Sequence, residues 1–157
     1  MKKIAIFADV QNIYYTTRQS FRRQFNYRKF WELVNQQGEI VTALAYATER
    51  NDDKQRQFQD ALRHIGFTVK LKPFIQRSDG TAKGDWDVGI TIDVLESADE
   101  IDTAILLSGD GDFDLLLKKI KNDYAVSTEV YGVAPLTARS LIESADHFHA
   151  IEEKLLM

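Results

Sequence analysis

Short apolar runs alternate with amphipathic stretches along the 157-residue chain. Residues 3–8 (K-I-A-I-F-A) are apolar almost without interruption, as a strand buried on both faces requires. A helical stretch follows Asn12. Residues 27–37 read as a helix with Phe30, Leu33 and Val34 on one face and Gly38 as its stop. Residues 40–47 (I-V-T-A-L-A-Y-A) give a second buried strand. Asp52 or Asp53 caps a helix in which Phe58, Ala61, Leu62 and Ile65 recur at i, i+3, i+4 and i+7, ended by Gly66. Residues 67–72 alternate strictly, with Phe67, Val69 and Leu71 against Thr68, Lys70 and Lys72, the pattern of a half-exposed or edge strand. Residues 103–107 (T-A-I-L-L) suit a central parallel strand. Phe113, Leu116, Leu117 and Ile120 form a helical stripe, residues 125–130 a fifth strand and residues 136–145 another helix.

Residues 84–98 satisfy two periods. Trp86, Val88, Ile90, Ile92 and Val94 alternate as in a strand, while Val88, Ile92, Leu95 and Ala98 fit one helix face. Parallel strands on either side need a crossover of about a dozen residues, which selects the helix. The whole pattern predicts one three-layer, Rossmann-like α/β domain over residues 1–157, with a mostly parallel sheet of about five strands. In such a sheet the site lies beyond the carboxyl ends of the strands, where the strand order switches.

Two strand ends carry acid there. The first runs into Asp9, with Asn12 three residues on; the fourth runs into Ser108-Gly109-Asp110-Gly111-Asp112-Phe113. Taken singly, Asp9 is also a turn residue at a strand end and Asp112 also a helix N-cap. Taken together, carboxylates converging on one edge repel unless a cation lies between them or one is protonated. Oxygen ligands without Cys favour Mg²⁺ or Mn²⁺ over zinc. The crossover helix adds Asp85, Asp87 and Asp93. Asp87 falls in its first turn, near the carboxyl edge; Asp93 lies roughly 9 Å further along the axis and is turned away. An acidic site of this kind activates water for in-line displacement at a phosphodiester without a covalent nucleophile. Asn12 and Ser108 are placed to hydrogen-bond a phosphate oxygen or a bound water.

Charge supplies the partner. The net charge of −4 divides into +7 over residues 1–84 and −11 over residues 85–157. Arg18, Arg22, Arg23, Arg28 and Lys29 follow one another without an acid, interleaved with Phe21, Phe25 and Tyr27, the composition of a single-strand nucleic-acid-binding surface. Phe30 and Trp31 read as core. Lys70, Lys72, Arg77 and Lys83 extend the basic face. His64 reads as structural, and His147 and His149 beside Asp146 offer only a weak metal motif. A homodimer aligning two basic faces is compatible with this distribution.

Composition removes other classes. With no cysteine, disulfide scaffolds, thiolate zinc sites, iron–sulfur clusters and thiol catalysis are excluded, and the cytoplasm is the expected location. No apolar run approaches 18 residues, so no membrane span is expected, and the five apolar residues before Asp9 are too few for a signal peptide. A P-loop motif is missing. Gln11 stands where an Asp-nucleophile phosphatase needs a second Asp, and the stretch after the first strand lacks the acidic pair of a receiver domain.

The chain resembles the NYN domain family of PIN-like metal-dependent ribonucleases, in its bacterial LabA-like branch, over about residues 3–146. Three motifs carry the resemblance: Asp9 with Asn12; Lys83-Gly84-x-x-Asp87 with Asp93 six residues later; and S-G-D-x-D-F from Ser108 to Phe113. It implies a PIN-type fold with sheet order 3-2-1-4-5, an acidic pocket for one or two Mg²⁺ or Mn²⁺ ions, and hydrolysis of RNA. It carries Asp9, Asp87, Asp110 and Asp112 onto the acidic site, marks Asp93 as well, and makes Asn12 a polar helper. The chain departs from the family pattern at Trp86, usually a small aliphatic residue, and at Asp85, an added charge. A non-catalytic RNA-binding or regulatory module on the same fold is the second expectation.

Overall fold

The computed structural model describes residues 1–49, 52–73, 75–76, 82–83 and 85–157. In chain order the elements are β1 (Lys3–Asp9), α1 (Val10–Phe21), α2 (Tyr27–Asn35), β2 (Glu39–Glu49), α3 (Asp53–Ile65), β3 (Thr68–Pro73), β4 (Ile75–Gln76), β5 (Ala82–Lys83), α4 (Asp87–Ser97), β6 (Thr103–Leu107), α5 (Asp114–Tyr124), β7 (Ser127–Gly132), α6 (Arg139–Ser144) and β8 (His147–Ala150). The sheet has six strands in the order β3-β2-β1-β6-β7-β8, every neighbouring pair parallel. The five-strand order expected from the sequence is thus present and extended by β8. Its four residues, H-F-H-A, lack a continuous apolar run and are only partly buried, so the strand leaves little hydrophobic signal.

β1 sorts the two cores by its pleat. Ile4, Ile6 and Ala8 pack with α1–α3; Ala5 and Phe7 pack with α4–α6. Each fully buried Ile or Phe, such as Ile6, Phe7 and Phe30, stabilises the fold by about 1.5–3 kcal/mol. Phe25, Tyr27 and Phe30 are all buried and meet edge-on or tilted in the first core; this removes Phe25 and Tyr27 from the expected RNA surface, while Phe30 is core as its spacing predicts.

Asp52, not Asp53, caps α3 through the Lys54 N–H, and Gly66 ends that helix at φ 139°, where an L side chain would be strained. α4 is the helix expected of residues 84–98, but its buried face is Ile90, Val94 and Ala98, whereas Val88 and Ile92 are exposed. Five apolar residues on a short helix allow two overlapping stripes, and packing against Phe7 and Leu106 selects one. No helix among the described residues is long and apolar enough to cross a membrane.

A candidate metal centre at the switch of the sheet

β1 and β6 are the adjacent strands at which the chain reverses its direction of travel across the sheet. Ala8 pairs with Leu107, so Asp9 and Ser108 leave the sheet side by side. Asp9 caps α1 by accepting from the Asn12 N–H at 3.5 Å, and the Ser108 hydroxyl donates to its Oδ2 at 3.1 Å. The Asn12 side chain accepts the Gly109 N–H at 2.9 Å. Its carbonyl oxygen therefore pins the turn after β6 rather than facing a substrate. The Asp110 N–H donates to Ser108 Oγ at 3.2 Å, and the Asp112 N–H to Asp110 Oδ1 at 2.9 Å. Gly109 is required for close approach: a Cβ there would lie 2.8 Å from the Leu136 carbonyl oxygen.

This local network aims three acids at one point. Asp87, Asp110 and Asp112 each offer a carboxylate oxygen within 4.8 Å of the others. Asp87 comes from the first turn of α4, where the sequence expected it. Trp86 fits this register: its ring packs on Tyr46, its Nε1–H donates to the Ala47 carbonyl at 2.9 Å, and Gly89 leaves room for it. Burial, a hydrogen bond to Asp110 and the charges of Asp110, Asp85 and Asp9 push the Asp87 carboxyl up to about 7. Asp9 is 8% exposed, and burial raises it to about 6. Its bonds from Ser108 and Asn12 oppose that rise, while the charges of Asp110 and Asp85 reinforce it. Asp85, exposed at the rim, thus adds negative potential to both.

Asp93 is not brought to this point. Its Oδ2 accepts from the Tyr46 hydroxyl at 2.8 Å and from Lys70 Nζ at 2.7 Å, two residues that pair on β2 and β3. Burial and the Asp93 carboxylate raise the Tyr46 hydroxyl above its ordinary range, so it remains a donor. Lys70 is correspondingly held in an ion pair.

The expected RNA-contacting residues divide. Arg18 and Arg22 are exposed on α1 and at its left-handed C-cap. Arg23 turns the other way, paired with Glu153 and donating to the Met157 carbonyl at 2.8 Å, so it anchors residues 153–157. Ser108 is fully buried and holds Asp9 and the Asp110 turn. Lys72 lies over the Trp86 ring at 5.0 Å. Lys83 is in β5; Gly84 and Arg77 lie outside the described residues. His149 contacts Glu129 at 2.8 Å and stacks on Tyr131, an edge-strand packing arrangement. Asp146, beside His147, is bound to Lys121 and the Thr128 N–H. Tyr14 and Tyr15, directly after the Asp9–Asn12 motif, escaped the sequence reading. Their signal was position on α1, facing away from buried Ile13 and Thr17.

The family model of the NYN domain matches residues 3–152. The chain belongs to the NYN domain family. This NYN protein is 30% identical over 158 residues to Low amplitude and bright protein LabA of Synechococcus elongatus, covering 93% of this chain and 82% of LabA. A solved structure of a protein of unknown function from Vibrio parahaemolyticus, VPA0982, aligns at 54% identity with a TM-score of 0.95, covering 99% of this chain and 96% of that one. The NYN family is a PIN-like nuclease family, and Asp87, Asp110 and Asp112 of this member converge beyond its sheet.

Proposed function

We propose that the chain is a metal-dependent ribonuclease that hydrolyses RNA phosphodiesters at the site formed by Asp9, Asp87, Asp110 and Asp112, with Mg²⁺ or Mn²⁺. Its main support is the convergence of Asp87, Asp110 and Asp112 within 4.8 Å on the carboxyl edge of a parallel sheet. The donor set fits the ion: all ligand atoms are carboxylate oxygens, the preference of Mg²⁺ and Mn²⁺. The raised carboxyls of Asp87 and Asp9 mark charge that protons relieve and that a divalent cation would relieve in their place.

A bound cation supplies Lewis-acid activation of water and neutralises charge on the phosphodiester. The chain's own residues do the rest. The Asp87 carboxyl, pushed up to about 7 by burial and its hydrogen bond to Asp110, is suited to accept a proton from an attacking water. Asp112, exposed at the mouth, would hold the ion together with Asp87 and Asp110. Ser108 and Asn12 are positioning residues that hold Asp9 and the Gly109 turn.

The test is incubation of labelled single-stranded RNA with the full chain in Mn²⁺, Mg²⁺ or EDTA, beside Asp9→Asn and Asp110→Asn. Metal-dependent cleavage lost in both variants is the expected result. RNA bound but left intact by all three proteins in every metal overturns the nuclease and leaves a binding module.

A further inference from the structure

The outward face of α1 begins at the acidic site and carries two features that its own fold does not use. Tyr14 and Tyr15 are 41% and 51% exposed, and neither ring belongs to the core beneath α1. They stand edge to face, with centroids 5.4 Å apart. Tyr15 and Arg18 lie three residues apart on the side of α1 turned from Val10, Ile13 and Thr17, which are buried, and Arg22 follows, exposed, at the left-handed C-cap. Helical side chains lean toward the N-terminus of their helix, which for α1 is the edge bearing Asp9. Arg18 Nη1 donates to the Tyr14 hydroxyl at 2.6 Å, and its guanidinium lies 5.8 Å from the centre of that ring, so cation and aromatic form one surface.

Exposed rings with cations one and two turns further on match an unpaired strand: bases stack on the rings and phosphates meet the arginines. An A-form duplex keeps its base faces inside and offers nothing to stack. We propose that Tyr14 and Tyr15 are a base-stacking platform for single-stranded RNA, and that Arg18 and Arg22 continue it as a phosphate track leading from the acidic site along α1. This deepens the nuclease reading and rests on it for the direction of the track. Tyr14 and Tyr15 position the strand and carry no chemistry.

The experiment measures binding of a fluorescent RNA 12-mer in EDTA, where cleavage is off. A second probe is a strand of the same length with the bases removed and the phosphates kept. The proteins are the full wild-type chain, Tyr14→Ala/Tyr15→Ala, Tyr14→Phe/Tyr15→Phe and Arg18→Ala/Arg22→Ala, each checked by thermal melting. The double alanine variant is expected to bind the RNA about tenfold or more weakly, and the double phenylalanine variant within about twofold of wild type. The alanine variant should also lose the preference for RNA over the abasic strand. The arginine variant should weaken both probes alike and flatten the salt dependence. Wild-type protein that binds neither probe, or that binds both equally, overturns the platform. So does an alanine variant that binds RNA as tightly as wild type. A parallel assay in Mn²⁺ separates the two claims. RNA bound through the tyrosines but never cut sinks the nuclease and leaves the platform. Wild type and alanine variant cutting alike with equal affinity sinks the platform and leaves the nuclease.

Discussion

Asn12 and Gly109 are 97 residues apart in the chain, yet the Asn12 side-chain carbonyl accepts the Gly109 N–H at 2.9 Å. This bond ties the first turn of α1 to the turn after β6, and the acids on either side inherit their spacing from it. Replacing Asn12 with Ala leaves a partly buried N–H without its acceptor. The variant should lose about 1–3 kcal/mol in urea unfolding and cleave RNA at least tenfold more slowly. An Asn12→Ala protein with wild-type stability and rate would show that the turn holds itself.

The raised carboxyls of Asp9 and Asp87 give a signed pH dependence. Their ordinary value is 3.8, and in the folded chain they reach about 6 and about 7. Between those limits the folded state binds protons that the unfolded state releases, so stability falls as pH rises from about 4 to about 7. In EDTA the melting temperature should therefore climb as pH is lowered from 8 to 5 (about the span of the two titrations). Mn²⁺ should stabilise more at the alkaline end, where it meets no competing proton. Asp87→Asn should flatten the EDTA profile; an unchanged profile would place the titrating group elsewhere.

Gly109 packs under the chain at residues 136–138. A methyl group there meets the Leu136 carbonyl oxygen at 2.8 Å, and backbone cannot yield cheaply. Gly109→Ala should cost about 1–3 kcal/mol by chemical denaturation and slow cleavage further, because the displaced turn carries Asp110.

Asp93 separates a structural acid from the convergent ones. Asp93→Ala strips the buried Tyr46 hydroxyl and Lys70 of their acceptor and should cost about 1–3 kcal/mol. Asp93→Asn keeps an acceptor oxygen and should retain far more Mn²⁺-dependent cleavage than Asp87→Asn. Equal losses in the two asparagine variants, at equal stability, would bring Asp93 into the site.

The strand–helix alternation, the parallel sheet and the three acid motifs were legible in the chain itself. β1 and β6 are apolar on both faces because both are covered by helices; β1 ends in Asp9, and Asp110 follows three residues after β6. That is local information, repeated at each residue. Several decisions lay beyond it. The sequence showed aromatics from Phe21 to Trp31, but only packing could bury Phe25 and Tyr27 and leave Tyr14 and Tyr15 in solvent. It showed arginines in a row, but only the docking of residues 153–157 could turn Arg23 away from Arg18 and Arg22. It showed Asp87 and Asp93 on one helix, and the neighbouring Tyr46 and Lys70 claimed the second. Periodicity records how often a side chain meets the core. Which partner a polar or aromatic side chain meets depends on residues tens of positions away, and the fold alone brings those together.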